Sequence, residues 1–384
     1  MAAGPATVLY LHSSSGRYGA DRQLEMLIAG LDPARYRALA VLPGHGPLAG
    51  ALRAAGAEVR VRPLAVLRRA LFSPRGLALT APRAAADAQA LWRVGRRRGV
   101  ALVHTNTSVT LGGAGTAAAL GVPHVWHLRE IHADHARWWP LLRRAMLTAD
   151  AIPALSAAAL APLDGARQGR LITEGLPTEA LKRRPAPRAE ARAAVGLPVD
   201  AFVCLVVGRL NAWKGQDVLA RALAEPEVAR IGAIGLVAGD AWPGEPHEAD
   251  LRALAARLGL GERLRLLGYR DDLDLLYGAA DVVVVPSTRP EPLGLVALEA
   301  AAAGCCVVAS DAGGLPEIIR EGRTGRLVAP GDPAALARVL AELAADPAQR
   351  ARLGAAAASD VRERFSRARL LEQTQALYDE LLGR

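Results

Sequence analysis

Two glutamates, Glu291 and Glu299, stand eight residues apart in the stretch Pro286 to Ala300, directly after the β-branched run Val282-Val283-Val284-Val285. The run reads as a buried parallel strand, and a helix must follow it. Pro292 suits the first turn of that helix, where its missing N–H costs nothing, and Leu295, Leu298 and Ala302 then form one apolar face. Free N–H groups of Leu293, Gly294 and Leu295 at such a helix start attract phosphate. Carboxylates only accept hydrogen bonds, which suits them to vicinal diols. At 1.5 Å per helical residue the pair spans about 12 Å, enough to bracket a diphosphate with a sugar at one end and a ribose at the other. Two solvated helix acids would be the plainer reading of this stretch taken alone.

A second buried-strand run, Phe202 to Val207, opens into Gly208-Arg209-Leu210-Asn211-Ala212-Trp213-Lys214-Gly215. Arg209 and Lys214 therefore lie at a strand's carboxyl end, the edge where open α/β sheets bind ligands. Two cations there can neutralise the charge that builds on a departing nucleoside diphosphate.

Gly208-Arg209 with Lys214-Gly215, then Glu291 and Glu299, then Gly313-Gly314-Leu315-Pro316-Glu317, resembles the family 4 retaining glycosyltransferases, also called glycosyltransferase group 1. The resemblance extends over most of the chain. Tyr18 to Leu24 resembles that family's first glycine loop, His127-Leu128-Arg129-Glu130 its amino-domain histidine motif, and Ala149 to Ser156 a strand that follows. Two positions depart from the pattern: Tyr18-Gly19 stands where a glycine pair is frequent, and Glu174-Gly175 where Asn-Gly is usual.

The resemblance implies a GT-B fold, an α/β architecture of two Rossmann-like domains with parallel sheets facing across a cleft. It implies transfer of a sugar from a nucleoside-diphosphate sugar to a glycan, lipid-linked or small-molecule acceptor, with retention of anomeric configuration. Arg209 and Lys214 would hold the diphosphate, Glu299 the ribose, and Glu291 would lie near the donor sugar and β-phosphate. Tyr269 and Arg270 would approach the base, while Pro292, Leu293, Gly294 and Leu295 supply backbone to the donor. His127 would touch the donor sugar from the other domain, Gly19 would bring backbone close to donor and acceptor, and Asp21 and Arg129 would lie on the acceptor side. With the leaving group held by cations, neither a metal nor another cofactor is expected. A sugar-nucleotide epimerase or hydrolase of the same fold, or a non-catalytic binding protein, are the alternatives. The second of these gains nothing from clustering such charges.

Length and pattern agree with two domains. The chain's 384 residues exceed one ordinary core, and buried apolar runs alternate with Ala, Leu and Arg-rich helices, as in βαβ units. Strands are expected near residues 7–11, 37–42, 58–62, 100–104, 123–127 and 151–155, then near 202–207, 234–238, 264–267, 282–285 and 306–309. The basic, proline-punctuated stretch Leu181 to Arg188 reads as an interdomain linker. The expected division is residues 1–184, 189–365 and a last helix, 366–384, returning to the first domain, with closure about the linker assembling the cleft.

Charge is shared unevenly. Residues 1–184 carry 24 Lys and Arg against 11 Asp and Glu, whereas residues 185–384 carry 23 against 27. Arginines neighbour apolar groups in Arg68 to Phe72, at Arg93 and Arg96-Arg97-Arg98, and in Arg137 to Arg144. Such a face could rest on anionic lipid, each basic group contributing about 1 kcal/mol; no nucleic-acid partner is expected. Cys204, Cys305 and Cys306 lack the spacing of a zinc site or a disulfide framework, and no apolar run approaches a membrane span. The expected setting is the cytoplasm, with the inner membrane face as the surface for the basic patch. His124, His127, His132 and His135 are spaced like a ligand ladder, but without a cysteine they read better as strand and loop histidines. Asp272-Leu273-Asp274 reads as a helix opening rather than a metal motif.

Overall fold

The computed structural model describes residues 4–17, 19–67, 74–131, 139–163, 165–182 and 184–384. Tyr18, the run Arg68 to Phe72, His132, His135, Arg137 and Arg183 lie outside them.

The chain forms two compact units, residues 1–175 with 367–384 and residues 176–366. The expected linker, 181–188, falls inside the second unit, where Ala186 N–H donates to Asp274 O (2.9 Å) and Ala191 N–H to Pro187 O (2.9 Å).

In the first unit, β1 (Ala6–Leu11), β2 (Tyr36–Leu42), β3 (Glu58–Val61), β4 (Val100–Thr105) and β5 (His124–Trp126) form a parallel sheet in the order β3-β2-β1-β4-β5. A short parallel pair, β6 (Ile152–Ala154) and β7 (Gly169–Leu171), continues from β5 through the bridges Val125↔Ala151 and Leu128↔Ala154. Because side chains alternate across a strand, β1 serves two cores. Val8 and Tyr10 pack with Leu24 and Leu27 of the helix Gly19–Ala29 and with Leu370, Leu377 and Tyr378 of the helix Arg367–Leu382. Leu9 and Leu11 pack with Leu91 of the helix Pro74–Arg98 and Ala117 of the helix Gly112–Leu120.

The second unit has β8 (Val203–Val207), β9 (Ile234–Ala238), β10 (Leu264–Gly268), β11 (Val282–Val285), β12 (Cys306–Ser310) and β13 (Arg326–Val328), all parallel, in the order β10-β9-β8-β11-β12-β13. Five strands were expected; the sixth, β13, has three residues, too short for an alternation to show. Cys204, Cys305 and Cys306 are buried free thiols, and burial pushes Cys305 up to about 12 and Cys306 up to about 11.

Beneath the sheet, Asp281 gathers the unit's entry. Its carboxylate accepts from Arg192 Nη2 (2.7 Å) and Val203 N–H (2.8 Å), and Arg188 (2.8 Å) and Arg350 (3.3 Å) reach its other oxygen. Arg192 is fully buried and also donates to Ala279 O (3.1 Å).

Candidate functional site

In both sheets the strand order reverses beside the first strand, and the crevice outside the carboxyl ends at that point is the usual ligand position. In the second unit this point lies between β8 and β11, and three chain segments converge on it. The first follows β8. Asn211 Oδ1 accepts from the N–H groups of Trp213 (3.1 Å) and Lys214 (3.0 Å), folding residues 211–214 into a tight turn. Gly215 follows with φ +72°, and a Cβ there would strike the Pro286 carbonyl oxygen, so only glycine lets this loop close on the end of β11.

The second segment follows β11. Thr288 N–H donates to Trp213 O (2.8 Å), tying it to the first. Lys214 Nζ lies 2.8 Å from Glu291 Oε1, and Ser287 Oγ donates to that same oxygen. Glu291 is buried and Lys214 half-buried. The third segment follows β12: Gly314 N–H donates to Glu291 O (2.7 Å), and Gly313, at φ +62°, leaves no room for a Cβ against the Glu291 backbone. Glu291 is thus held by side chain and main chain alike.

The two cations are also seated on aromatic faces, Arg209 over Trp242 at 3.8 Å and Lys214 over Trp213 at 4.5 Å. Such stacking orients a cation without neutralising it. The helix after β11 runs Leu295–Ala302, behind Gly294 in the left-handed region at φ 99°. Pro292 is therefore in the preceding turn and not in the helix. The free N–H groups are those of residues 295–297, and Glu299 sits only about 6 Å along the helix. The sequence pattern placed the start too early because Pro292 is equally at home in a turn. Tyr269 is 67% exposed, and Arg270 is engaged by the carboxylate of Asp272, the residue just before the helix Leu273–Ala279.

The first unit carries a second polar cluster at its own sheet edge. Period-two alternation sends Tyr10 and His12, His104 and Asn106, and Val125 and His127 to one face. Arg129 Nε donates to Asn106 Oδ1 (3.2 Å), Asn106 Nδ2 to His12 Nδ1 (3.0 Å), and His12 Nε2–H to Asp21 Oδ1 (2.7 Å). Arg129 is also paired with buried Glu174, whose neighbour Gly175 O accepts from Gln23 Nε2 (2.9 Å). Asp21 and Arg129, expected on the acceptor side, are both buried within this network, and Gly19 begins the helix that carries Asp21. Ser287, Trp213, Trp242, His104, Asn106 and Glu174 were not foreseen as site residues. A serine four residues before Glu291 and a tryptophan next to Lys214 were the local signals, while Trp242, His104, Asn106 and Glu174 depend on long-range contact.

His127 is buried, and among the described residues neither ring nitrogen has a hydrogen-bond partner. Burial holds His104 and His127 well below the usual histidine range, with the Arg129 charge adding to it, and lowers His124 to about 4. Above pH 6.5 these rings are neutral in both folded and unfolded chains, so they impose no penalty. Below pH 6.5 the unfolded chain binds protons that the folded one refuses, and stability falls as pH drops toward 4. Urea midpoints should therefore decline between pH 6.5 and 5, where carboxylates scarcely titrate; a flat profile across that window would contradict the buried neutral assignment. Among the described residues, no group of three or more His, Cys, Asp or Glu could hold a metal ion.

Residues 187–360 match the model of the family described as Glycosyl transferases group 1. The D-inositol 3-phosphate glycosyltransferase of Streptomyces avermitilis is 46% identical over 183 residues, 46% of this chain and 39% of that protein. The Streptomyces coelicolor protein of the same name is 44% identical over 178 residues, 44% of this chain and 39% of that protein. The chain thus matches about two fifths of the length of these curated relatives. Among solved structures, Anabaena Alr3699/HepE in complex with UDP superimposes with a TM-score of 0.82 at 27% identity, covering 98% of this chain and 100% of that one. Sucrose-phosphate synthase of Thermosynechococcus elongatus gives 0.78 at 26% identity, covering 98% and 99%. Motifs, strand order and these likenesses agree that residues 187–360 are similar to the group 1 glycosyl transferases and that the two Rossmann-like units have the GT-B fold.

Proposed function

We propose that this protein transfers a sugar from a UDP-sugar to a hydroxylated acceptor, with retention of anomeric configuration and without a metal. The observation that carries this reading is the convergence of Lys214, Ser287 and Glu291 at the β8–β11 switch point, within the stretch that matches the family. The UDP complex of the Anabaena neighbour supports the choice of base. Lys214, Arg209 and the N–H groups of residues 295–297 stabilise the departing diphosphate, Glu291 orients the sugar and Glu299 the ribose. Pro292, Leu293, Gly294 and Leu295 carry the connecting backbone, and Tyr269 and Arg270 flank the base. His127 is the histidine that touches the transferred sugar in this reading. The acceptor attacks on the face that the diphosphate leaves, and a diphosphate oxygen takes its proton, so no side chain becomes covalently attached.

The names of the relatives make inositol 3-phosphate the first acceptor to try, ahead of glycans and lipid-linked sugars. Exposed Leu141 beside Arg143 and Arg144 on the helix Trp139–Met146 supports contact of the basic unit with an anionic membrane face. Three buried free thiols suit a reducing cytoplasm.

Calorimetry and thermal shift against UDP, GDP, ADP and UDP-glucose, each with EDTA, test the donor reading. Stabilisation by UDP and UDP-glucose in EDTA is expected. No nucleotide response would overturn the donor site, and a response abolished by EDTA would overturn metal independence. With an acceptor found, an inverted anomeric coupling in the product's NMR spectrum would exclude retention.

A further inference from the structure

Tyr378, on the helix Arg367–Leu382, has its hydroxyl 3.1 Å from Tyr10 Oη and 2.6 Å from His104 Nδ1. All three residues are buried. The His104 ring in turn lies 5.6 Å from that of His127, the planes inclined by 30°. Among the described residues, His104 Nε2 and both nitrogens of His127 meet no partner.

Three groups share two hydrogen bonds here; Tyr378 accepting from both His104 Nδ1–H and Tyr10 would leave its own proton and His104 Nε2 unmet, and two further arrangements are available. If His104 Nδ1–H donates to Tyr378 and Tyr378 to Tyr10, the Tyr10 proton is left without an acceptor and His104 Nε2 without a donor. If Tyr10 donates to Tyr378 and Tyr378 to His104 Nδ1, every hydroxyl proton is used and a single group, His104 Nε2–H, is left over. The second arrangement leaves fewer buried polar groups unmet.

We propose that Tyr378 is a positioning residue for His127. By donating to His104 Nδ1 it holds His104 as the Nε2–H tautomer, and that N–H, on the ring 5.6 Å from that of His127, biases which nitrogen of His127 carries its proton. Burial keeps both rings neutral, so each has one donor and one acceptor, and choosing the acceptor on the His104 side turns the His127 N–H toward a ligand. The functional consequence rests on the reading above, in which His127 touches the transferred sugar; the tautomer coupling itself does not.

Two measurements separate these. Nitrogen-resolved histidine NMR of the full chain should show His104 as a single Nε2–H tautomer. In Tyr378→Phe, which keeps the ring, His104 should become a mixture and the His127 resonances should shift with it. His104 found as Nδ1–H in the unmodified protein, which requires no variant to fold, overturns the proposal, as do unchanged His127 resonances in a folded Tyr378→Phe protein. In turnover of a UDP-sugar, Tyr378→Phe should lower kcat about tenfold, the lower end of what loss of a partner orienting a functional histidine costs, with KM for the donor nearly unchanged. A lowered melting temperature with unaltered kcat would assign Tyr378 a purely structural role. If the unmodified protein turns over no UDP-sugar, the transferase reading fails while the tautomers still decide the coupling.

Discussion

Replacing Lys214 by alanine should lower kcat with a UDP-sugar by about 10² to 10³, the loss typical of removing one preorganised stabiliser of developing negative charge. The ammonium is a point charge held in place by three features: the Asn211 turn, the Trp213 face and the Glu291 carboxylate. When diphosphate charge grows, that cation is already aimed and needs no reorganisation. The truncation also leaves buried Glu291 with Ser287 in place of an opposite charge. The ground-state complex feels less of this than the transition state, so kcat should fall further than KM rises. Initial rates at saturating donor, beside a circular dichroism spectrum showing an intact fold, provide the check. A variant with unreduced kcat would remove Lys214 from the chemistry.

A second large effect is expected far from that chemistry. Asp281→Ala should destabilise the second unit by about 3–5 kcal/mol, because removing one partner of a buried ion pair strands the other. The stranded group is Arg192, with no exposed surface, while Val203 N–H at the start of β8 loses its acceptor. Arg188 approaches from the outside and can turn to water, and Arg350 keeps the Leu343 and Ala344 carbonyls as partners. Urea unfolding of the variant should show an earlier transition for residues 176–366, with a change confined to a few tenths of a kcal/mol refuting the hub. Asp281→Asn, which keeps an acceptor oxygen, should be milder.

The donor-side cluster was legible because its chemistry is local. Arg209 and Lys214 stand at the end of one continuous apolar strand, and Glu291 follows another, so buried runs alone place them at one sheet edge. Strand positions were legible for the same reason wherever four or more apolar residues ran together. The three-residue β7 and β13 carry no such run, and β7 reads Gly-Arg-Leu. The start of the helix at Leu295 was misplaced because a proline marks a turn as readily as a first helical turn. In the first unit, the partners of Arg129, His104 and Tyr10 lie 45, 274 and 368 residues away along the chain. No spacing rule reaches that far. His104 in particular looks like a strand residue, and only its neighbours show that it faces His127.

The helix Arg367–Leu382 has a bearing on synthesis as well as on packing. Its residues Leu370, Leu377 and Tyr378 complete the core around β1, yet they leave the ribosome only after the whole second unit. At about 5–20 residues per second the intervening stretch takes roughly 10–40 s. During that interval the nascent first sheet exposes an apolar face that its final covering helix cannot yet reach, and the Tyr10 hydroxyl waits for its partner. The second unit, contiguous in sequence, is free to mature in the meantime. Assembly order is thereby inverted: the portion translated first is completed only after the second unit, once the helix Arg367–Leu382 has emerged to cover that face.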